Sequence, residues 1–377
     1  MKKVLLFLLL GLFPSFLLAQ EECGTTTSRT EYNKASRQVR SLAMAKTSTP
    51  IQLKEIPIVF HIFYSDSIPN SYVPREKVVE AFYDINRNFI GTKFRFRLVD
   101  IKYKNLAEFS WHNDFLNGST NLPTKNHGRM HDLANSTYLD PNYNLNIYIC
   151  PKFSDPNLRG LSFTTPYAPV IGQGLKPADG VWIRTDVFGL NLPYLARHGT
   201  LNKVVVHEIG HYLGLFHTFQ GSTGCEPDAL PLDCTTTGDL VCDTPPIRSS
   251  VMASHCNPRC PDNWTPGKPW ENYTYDNFMD YLADDCRHSF TPGQIERMHQ
   301  HVTQQRPNVY QTISPQQQVD LDKNQNIGSS DMLLLLACIN QPIESKDCYL
   351  CDFDFNKVVG VSDLQILLSH MGTTYSK

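Results

Sequence analysis

The eleven residues His207-Glu208-Ile209-Gly210-His211-Tyr212-Leu213-Gly214-Leu215-Phe216-His217 constrain this chain more than any other stretch. Residues four apart on a helix lie one turn apart on the same face. A helix through His207 and His211 therefore aims two imidazoles at one point. The run from Leu201 to Val206 is apolar enough to bury that helix, and Thr200 stands where a cap is needed. Gly214 comes three residues after His211, and glycine leaves a helix through the left-handed region at little steric cost. That turn brings His217 back as a third nitrogen. Three neutral nitrogens leave one position of a tetrahedral zinc open for water, as catalytic sites do. Glu208, beside the first histidine, can reach that water instead of the metal. Two histidines four apart also occur by chance on half-exposed helices. The glycine and the third histidine at fixed spacing argue against that reading.

The bulk of the chain is ordinary globular material. Its 377 residues are 41% hydrophobic with a net charge of −3, enough for one large domain or two modest ones. That balance gives no sign of nucleic-acid binding, and no basic run suggests a membrane surface. Met1-Lys2-Lys3, the apolar run Val4 to Leu18 and then Ala19-Gln20 read as a secretion signal over residues 1–19. The run is shorter than the roughly 20 residues of a transmembrane helix, so a retained anchor is the weaker reading. No membrane span is expected after signal removal. Export suits the eleven cysteines, which are read as forming disulfides, and the odd total leaves at least one unpaired. Cys225, Cys234, Cys242, Cys256, Cys260 and Cys286 crowd the region after the histidine motif. Chain proximity favours local bridges, with Cys286 tied to Cys256 or Cys260.

Residues 20–50 are polar, basic and without an apolar period, as in a pro-segment; Arg37, Arg40 or Lys46 offer sites for its removal. Ile56 to Tyr64 is an apolar strand whose His61 is read as a core histidine and not a ligand. Pro74 opens a helix with Val78, Val79, Phe82, Ile85 and Phe89 at helical spacing. Further strands are expected from Phe94 to Ile101, around Leu145, Ile147 and Ile149, and from Gly180 to Phe188. The last of these could pair with an extended peptide, as an exposed sheet edge does. Thr291, Pro292 and Gln294 spell the start of another helix with a capping box.

The histidine motif with a downstream methionine turn resembles the metzincin zinc proteases. The stretches HTFQG after His217, GDLVCDTP from Gly238, NFMDY from Asn277 and FTPGQIERM from Phe290 resemble the pappalysin family, ulilysin-like and mirolysin-like members included. The resemblance covers roughly residues 55 to 305. It implies an α+β metzincin fold, with a twisted sheet and active-site helix over an irregular lower subdomain, in a catalytic domain of residues 51–311. It implies Zn2+ on His207, His211 and His217, Glu208 as general base and Met279 in the Met-turn. Tyr281 matches the tyrosine that flanks the metal, the alternative being a core tyrosine. Cys23 resembles a cysteine switch that binds zinc in the latent form, the alternative being a disulfide to Cys150. Asp285 falls where ulilysin-like members carry an acidic pocket residue selecting Arg or Lys, the alternative being a solvated acidic loop. Asp239, Asp243 and Thr244 resemble the family's calcium-binding loop.

Residues 312–318 are polar and read as a linker. Beyond them the chain repeats with a period of 32. Asp320, Asp322, Asn324, Asn326 and Asp331 recur as Asp352, Asp354, Asn356, Val358 and Asp363. Each set is followed by a leucine-rich helix, Met332 to Cys338 and Leu364 to Met371. Oxygen ligands at loop positions 1, 3, 5 and 12 follow the EF-hand scheme for Ca2+. The tail, residues 319–377, resembles a small all-α dockerin-like domain. Position 6 departs from that scheme, being Gln325 or Lys357 where the EF-hand has glycine. Position 12 is aspartate, as in dockerins, and not the EF-hand glutamate. Two classes of function follow. One is a secreted zinc endopeptidase, made as a zymogen, that cuts proteins or peptides N-terminal to Arg or Lys or with another metzincin specificity. The other is a surface-binding protein whose tail docks a cohesin-like partner.

Overall fold

The computed structural model describes residues 51–112, 128–153, 158–162, 178–189, 202–220, 234, 238–244, 276–282, 284–341, 346–354, 356 and 358–375. The signal, the pro-segment with Cys23, the Thr200 cap and Cys225, Cys256 and Cys260 lie outside them.

A near-continuous apolar run makes β1 (Lys54–Tyr64), because both of its flanks and both of its faces are covered. It runs parallel to β2 (Phe94–Asn105) on one side and to β3 (Leu145–Cys150) on the other. The order is β2-β1-β3-β5-β4, where β5 is Val181–Arg184 and β4 is Gly160–Ser162. β4 alone of these five is antiparallel to its neighbour, which makes the sheet mixed. Two-residue strand β6 (Gln311–Thr312) pairs with the start of β1.

Alternating side chains supply the two faces. Ile58, Phe60, Ile62, Ile147, Ile149, Val181 and Ile183 face one core. Packed against it are α1 (Arg75–Asn88), α3 (Lys203–Tyr212) and α4 (Pro292–Gln305). Phe63, Tyr148, Cys150 and Trp182 face the other, covered by α2 (Gly128–Thr137). His61 is buried in the sheet, with its Nε2 2.9 Å from Asn146 Oδ1. Burial pushes its pKa down to about 3, so it is a neutral core histidine as expected. Cys150 is a buried free thiol, so the alternative pairing with Cys23 is not formed. Cys286 is disulfide-bonded, to a partner outside the described residues.

Two expectations need correction. The strand expected over 180–188 stops at Arg184 and becomes a 3-10 turn, Thr185–Val187. It also lies inside the sheet, so among the described residues β4 and not β5 is the edge strand. The stretch 312–318, read as a polar linker, carries regular structure. Thr312 belongs to β6, and Ser314 with Gln317 forms a capping box on α5 (Pro315–Val319).

The tail follows as α6 (Ser329–Cys338) and α7 (Val361–Leu368), around a small core of Val319, Ile327, Leu335, Phe353, Val359 and Leu367. A disulfide joins Cys338 and Cys348. Leu350 of the tail packs on the main core, and Gln318 Nε2 donates to Phe353 O at 2.6 Å.

Candidate metal centre and active site

The N-cap position of the zinc-motif helix is Asn202, whose side chain makes no cap bond to the helix. Asn202 takes φ of 56°, accepts the Gly189 N–H on Oδ1 at 2.8 Å and donates from Nδ2 to Asp84 at 3.1 Å. Val204, Val205, Val206 and Ile209 are buried and fix which face of α3 meets the sheet. The helix ends as the glycine spacing predicts. Gly214 has φ of +97°, its N–H donates to His211 O, and Leu215 N–H donates to Gly210 O. This is the paired bonding of a Schellman turn. A Cβ on Gly214 would also stand 2.2 Å from His301 Cγ.

The turn delivers His217 to the other two histidines. His211 Nε2 lies 3.1 Å from His207 Nε2 and 3.1 Å from His217 Nε2. His207 Nδ1 is 2.7 Å from Phe278 O, and His211 Nδ1 is 2.8 Å from Leu215 O. A carbonyl accepts only, so the proton of each ring sits on Nδ1 and the Nε2 lone pairs face one another. Burial, then the neighbouring His211, His217 and Arg287 charges, hold His207 well below the usual histidine range and neutral. Converging lone pairs repel unless a cation sits among them. Nitrogens about 2.0–2.1 Å from a tetrahedral zinc lie roughly 3.3 Å apart, close to the observed spacing. The three histidines also form one of the clusters able to hold a metal among the described residues. The donor set fits zinc.

Glu208 is fully buried. Gly160 on the edge strand makes room for it, since a Cβ there would stand 2.8 Å from Glu208 Oε1. Met279 is buried under the helix, where a Cβ on Gly210 would meet its Sδ at 2.4 Å. Tyr281 is half-buried, its ring 4.8 Å from that of His217 and 5.9 Å from that of His207. Phe219 stacks on His217 at 4.7 Å with planes 7° apart. Neither Gly160 nor Phe219 was legible as a site residue, because a lone glycine and a lone aromatic carry no spacing signal.

The downstream stretches meet at the start of α4. Thr291, Pro292 and Gln294 form the expected capping box. The Asn277 and Gln294 amides exchange hydrogen bonds at 2.7 and 3.1 Å, and Asn277 Oδ1 also accepts the Met279 N–H. Asp243 accepts from Thr291 Oγ1 and from the Gly293 N–H, both at 2.7 Å. Asp239 accepts from Thr244 Oγ1 at 2.7 Å, and burial pushes its pKa up to about 7. Asp285 lies in a short 3-10 turn, Asp284–Cys286, and its side chain is outside the described residues.

In the tail, Asp320, Asp322 and Asp331 come together, as do Asp352, Asp354 and Asp363. Asp331 and Asp363 are wholly buried and accept backbone N–H groups of their own loops. Asn324 and Asn356 donate to Asp322 and Asp354. Among the described residues the Asn326 side chain makes no hydrogen bond to the cluster, its N–H donates to Asn324 Oδ1 at 2.8 Å, and Val358 is exposed. Gln325 takes φ of 69°, the conformation for which an EF-hand loop uses glycine.

Comparison with known proteins agrees with this geometry. The family model described as pregnancy-associated plasma protein-A, the M43 peptidases, matches residues 134–303. An extracellular metalloprotease of Verticillium alfalfae is 30% identical over 246 residues, which cover 65% of this chain and 74% of that one. Human pappalysin-1 is 34% identical over 175 residues, 45% of this chain but only 10% of that much longer protein. The solved structure of a Tannerella forsythia promirolysin mutant shares the fold, at 19% identity and TM-score 0.53, over 76% of this chain and 96% of that one. The histidine cluster, the methionine beneath it and the similarity across most of a fungal relative lead to one family, and the chain belongs to the pappalysin-type M43 metalloproteases.

Proposed function

We propose that this chain is a secreted zinc endopeptidase, made as a zymogen, that cuts proteins N-terminal to Arg or Lys. The observation that carries the catalytic part is the convergence of three imidazole Nε2 atoms beside a fully buried glutamate. Zinc bound there supplies an acidified water and a polarised scissile carbonyl. The residues of the chain do the rest. His207 and His211 are held in the ligating tautomer by the Phe278 and Leu215 carbonyls. Glu208 takes a proton from the attacking water and returns it to the leaving amine. Tyr281, beside His217, offers its hydroxyl to the developing oxyanion. Edge strand β4 offers backbone groups to an extended peptide.

Asp285 is the residue proposed to select a basic side chain after the scissile bond, through charge-assisted hydrogen bonds. The test is to incubate the full chain with a denatured protein, before and after limited trypsin treatment that cuts the leader, with trypsin then inhibited. New N-termini should begin with Arg or Lys and vanish with a zinc chelator. Cleavage that ignores the chelator would refute the catalytic reading, and termini without basic residues would refute the specificity.

Latency is assigned to Cys23, whose thiolate is a good zinc ligand and would displace the water. The buried, free Cys150 thiol supports this reading over the competing disulfide. Cys23→Ala should raise the activity of the uncut chain at least about tenfold. An uncut variant as silent as the wild type would end this idea.

Calcium is proposed at the two tail loops and near Asp239. A buried Asp239 Oδ2 without a hydrogen-bond partner among the described residues supports the latter. Ca2+ at about 100 times its Kd should stabilise the tail by about 2.7 kcal/mol. A tail whose thermal melt is the same with and without chelator would contradict this. Exposed Leu333, Leu334 and Leu336 on α6 favour a second, compatible role, in which the tail docks a cohesin-like partner. A surface-bound screen against cohesin modules that retains no full chain would refute it.

A further inference from the structure

A buried ion cluster ties together the segments that flank the reaction centre. Arg159, one residue ahead of Gly160, donates from Nη2 to Asp284 Oδ2 at 3.3 Å. Arg287 donates from Nη2 to the other oxygen, Asp284 Oδ1. Its backbone N–H donates to Asp284 O at 3.2 Å, and its Nη1 reaches Asp280 O at 3.5 Å. All three side chains are at most 4% exposed, so solvent and salt barely screen them.

Both ends of this cluster lead to catalytic groups. At the Arg159 end, Gly160 is the surface against which Glu208 rests. Arg159 O also accepts the Arg184 N–H at 2.9 Å, which fixes the edge strand to β5. At the Arg287 end, the carbonyl that it holds belongs to Asp280, the residue before Tyr281. Tyr281 N–H in turn donates to Asp280 Oδ1 at 2.6 Å. Stability alone gives little reason for three buried ionic side chains, since apolar residues of similar volume are often as stable there. Charge-assisted bonds differ from apolar packing in fixing direction and distance.

We propose that Asp284 is a positioning residue for peptide hydrolysis: by gripping Arg159 and Arg287 together, it sets the edge strand beside Glu208 at a fixed distance from the turn that carries Tyr281. The inference rests on the endopeptidase reading above. Displacing catalytic groups by about 1 Å can cost roughly 100-fold in rate. The cluster therefore acts on kcat more than on KM.

The test uses the full chain after leader cleavage, with a quenched fluorescent peptide as substrate and kcat expressed per bound zinc, so that unfolded protein drops out. Asp284→Asn should lower kcat about 10- to 100-fold with KM within about threefold. Arg159→Lys keeps the charge but loses the fork, and should fall between the wild type and Arg159→Ala. A kcat per zinc within about twofold of the wild type in the variants that fold would overturn the proposal. So would an Arg159→Lys protein that cannot fold and hold zinc, because the cluster would then serve the fold alone. A wild type that cuts no peptide would overturn both readings; one that cuts, with variants unchanged, overturns only this one.

Discussion

Glu208→Gln is expected to yield a folded, zinc-loaded protein whose peptide hydrolysis is lower by about 10²- to 10⁴-fold. Glutamine has nearly the same shape as glutamate, so the space that Gly160 leaves beside residue 208 stays filled. His207 and His211 do not depend on the glutamate for their tautomers, since the backbone carbonyls of Phe278 and Leu215 hold these two rings. What the amide loses is the ability to take a proton from water and hand it on. The loss should therefore fall on kcat, while zinc content and melting temperature stay near those of the wild type. Kinetics together with metal analysis of the same sample checks this. Undiminished hydrolysis by the zinc-loaded variant would rule out Glu208 as the base.

Arg306→Ala should cost about 3–5 kcal/mol of stability, the range for removing one partner of a buried ion pair. Arg306 Nη1 and Nη2 donate to Asp179 at 2.6 and 3.2 Å, and Nε donates to Tyr212 O at 3.2 Å. Its guanidinium lies 3.7 Å from the centre of the Tyr212 ring. The two side chains of the pair are 1% and 0% exposed. One arginine thus joins the end of α4, the end of the zinc helix and Asp179, two residues before β5. Alanine would leave the Asp179 carboxylate buried with these bonds gone. Urea unfolding should show the loss, and Arg306→Lys should recover part of it because lysine keeps the charge without the fork. A change below about 1 kcal/mol would mean that water or a shifted side chain replaces the pair.

The site was more legible than the scaffold that holds it. His207, His211 and Gly214 announce themselves because a helix repeats at fixed spacing and glycine alone turns cheaply afterwards. The capping box at Thr291 and Gln294 was legible for the same reason, since its bonds are local in sequence. Long-range partners were not. The Asn277 amide pairs with Gln294 across 17 residues, and Arg159 meets Asp284 across 125. Such pairs have no periodicity to betray them. β4 was missed because three residues, Gly160 to Ser162, are too short for alternation to register. The stretch 180–188 is apolar from Val181 to Ile183 and polar from Arg184 to Asp186, where the strand gives way to a turn, and apolarity does not distinguish an inner strand from an edge. The N-cap position falls at Asn202, whose side chain is spent on Gly189 and Asp84, long-range bonds that carry no local signal. At 312–318 the polar composition suggested a linker, but Ser314 and Gln317 supply a cap that composition conceals.

The most direct test is the metal content of the folded chain after dialysis in zinc-containing buffer and removal of loosely held ions. The account predicts one tightly bound zinc per chain, lost when His211 is replaced by alanine, because the ring at the centre of the cluster is then gone. A folded wild type that retains no zinc, or a His211→Ala variant that retains it as tightly, would contradict the assignment of His207, His211 and His217 as the metal ligands.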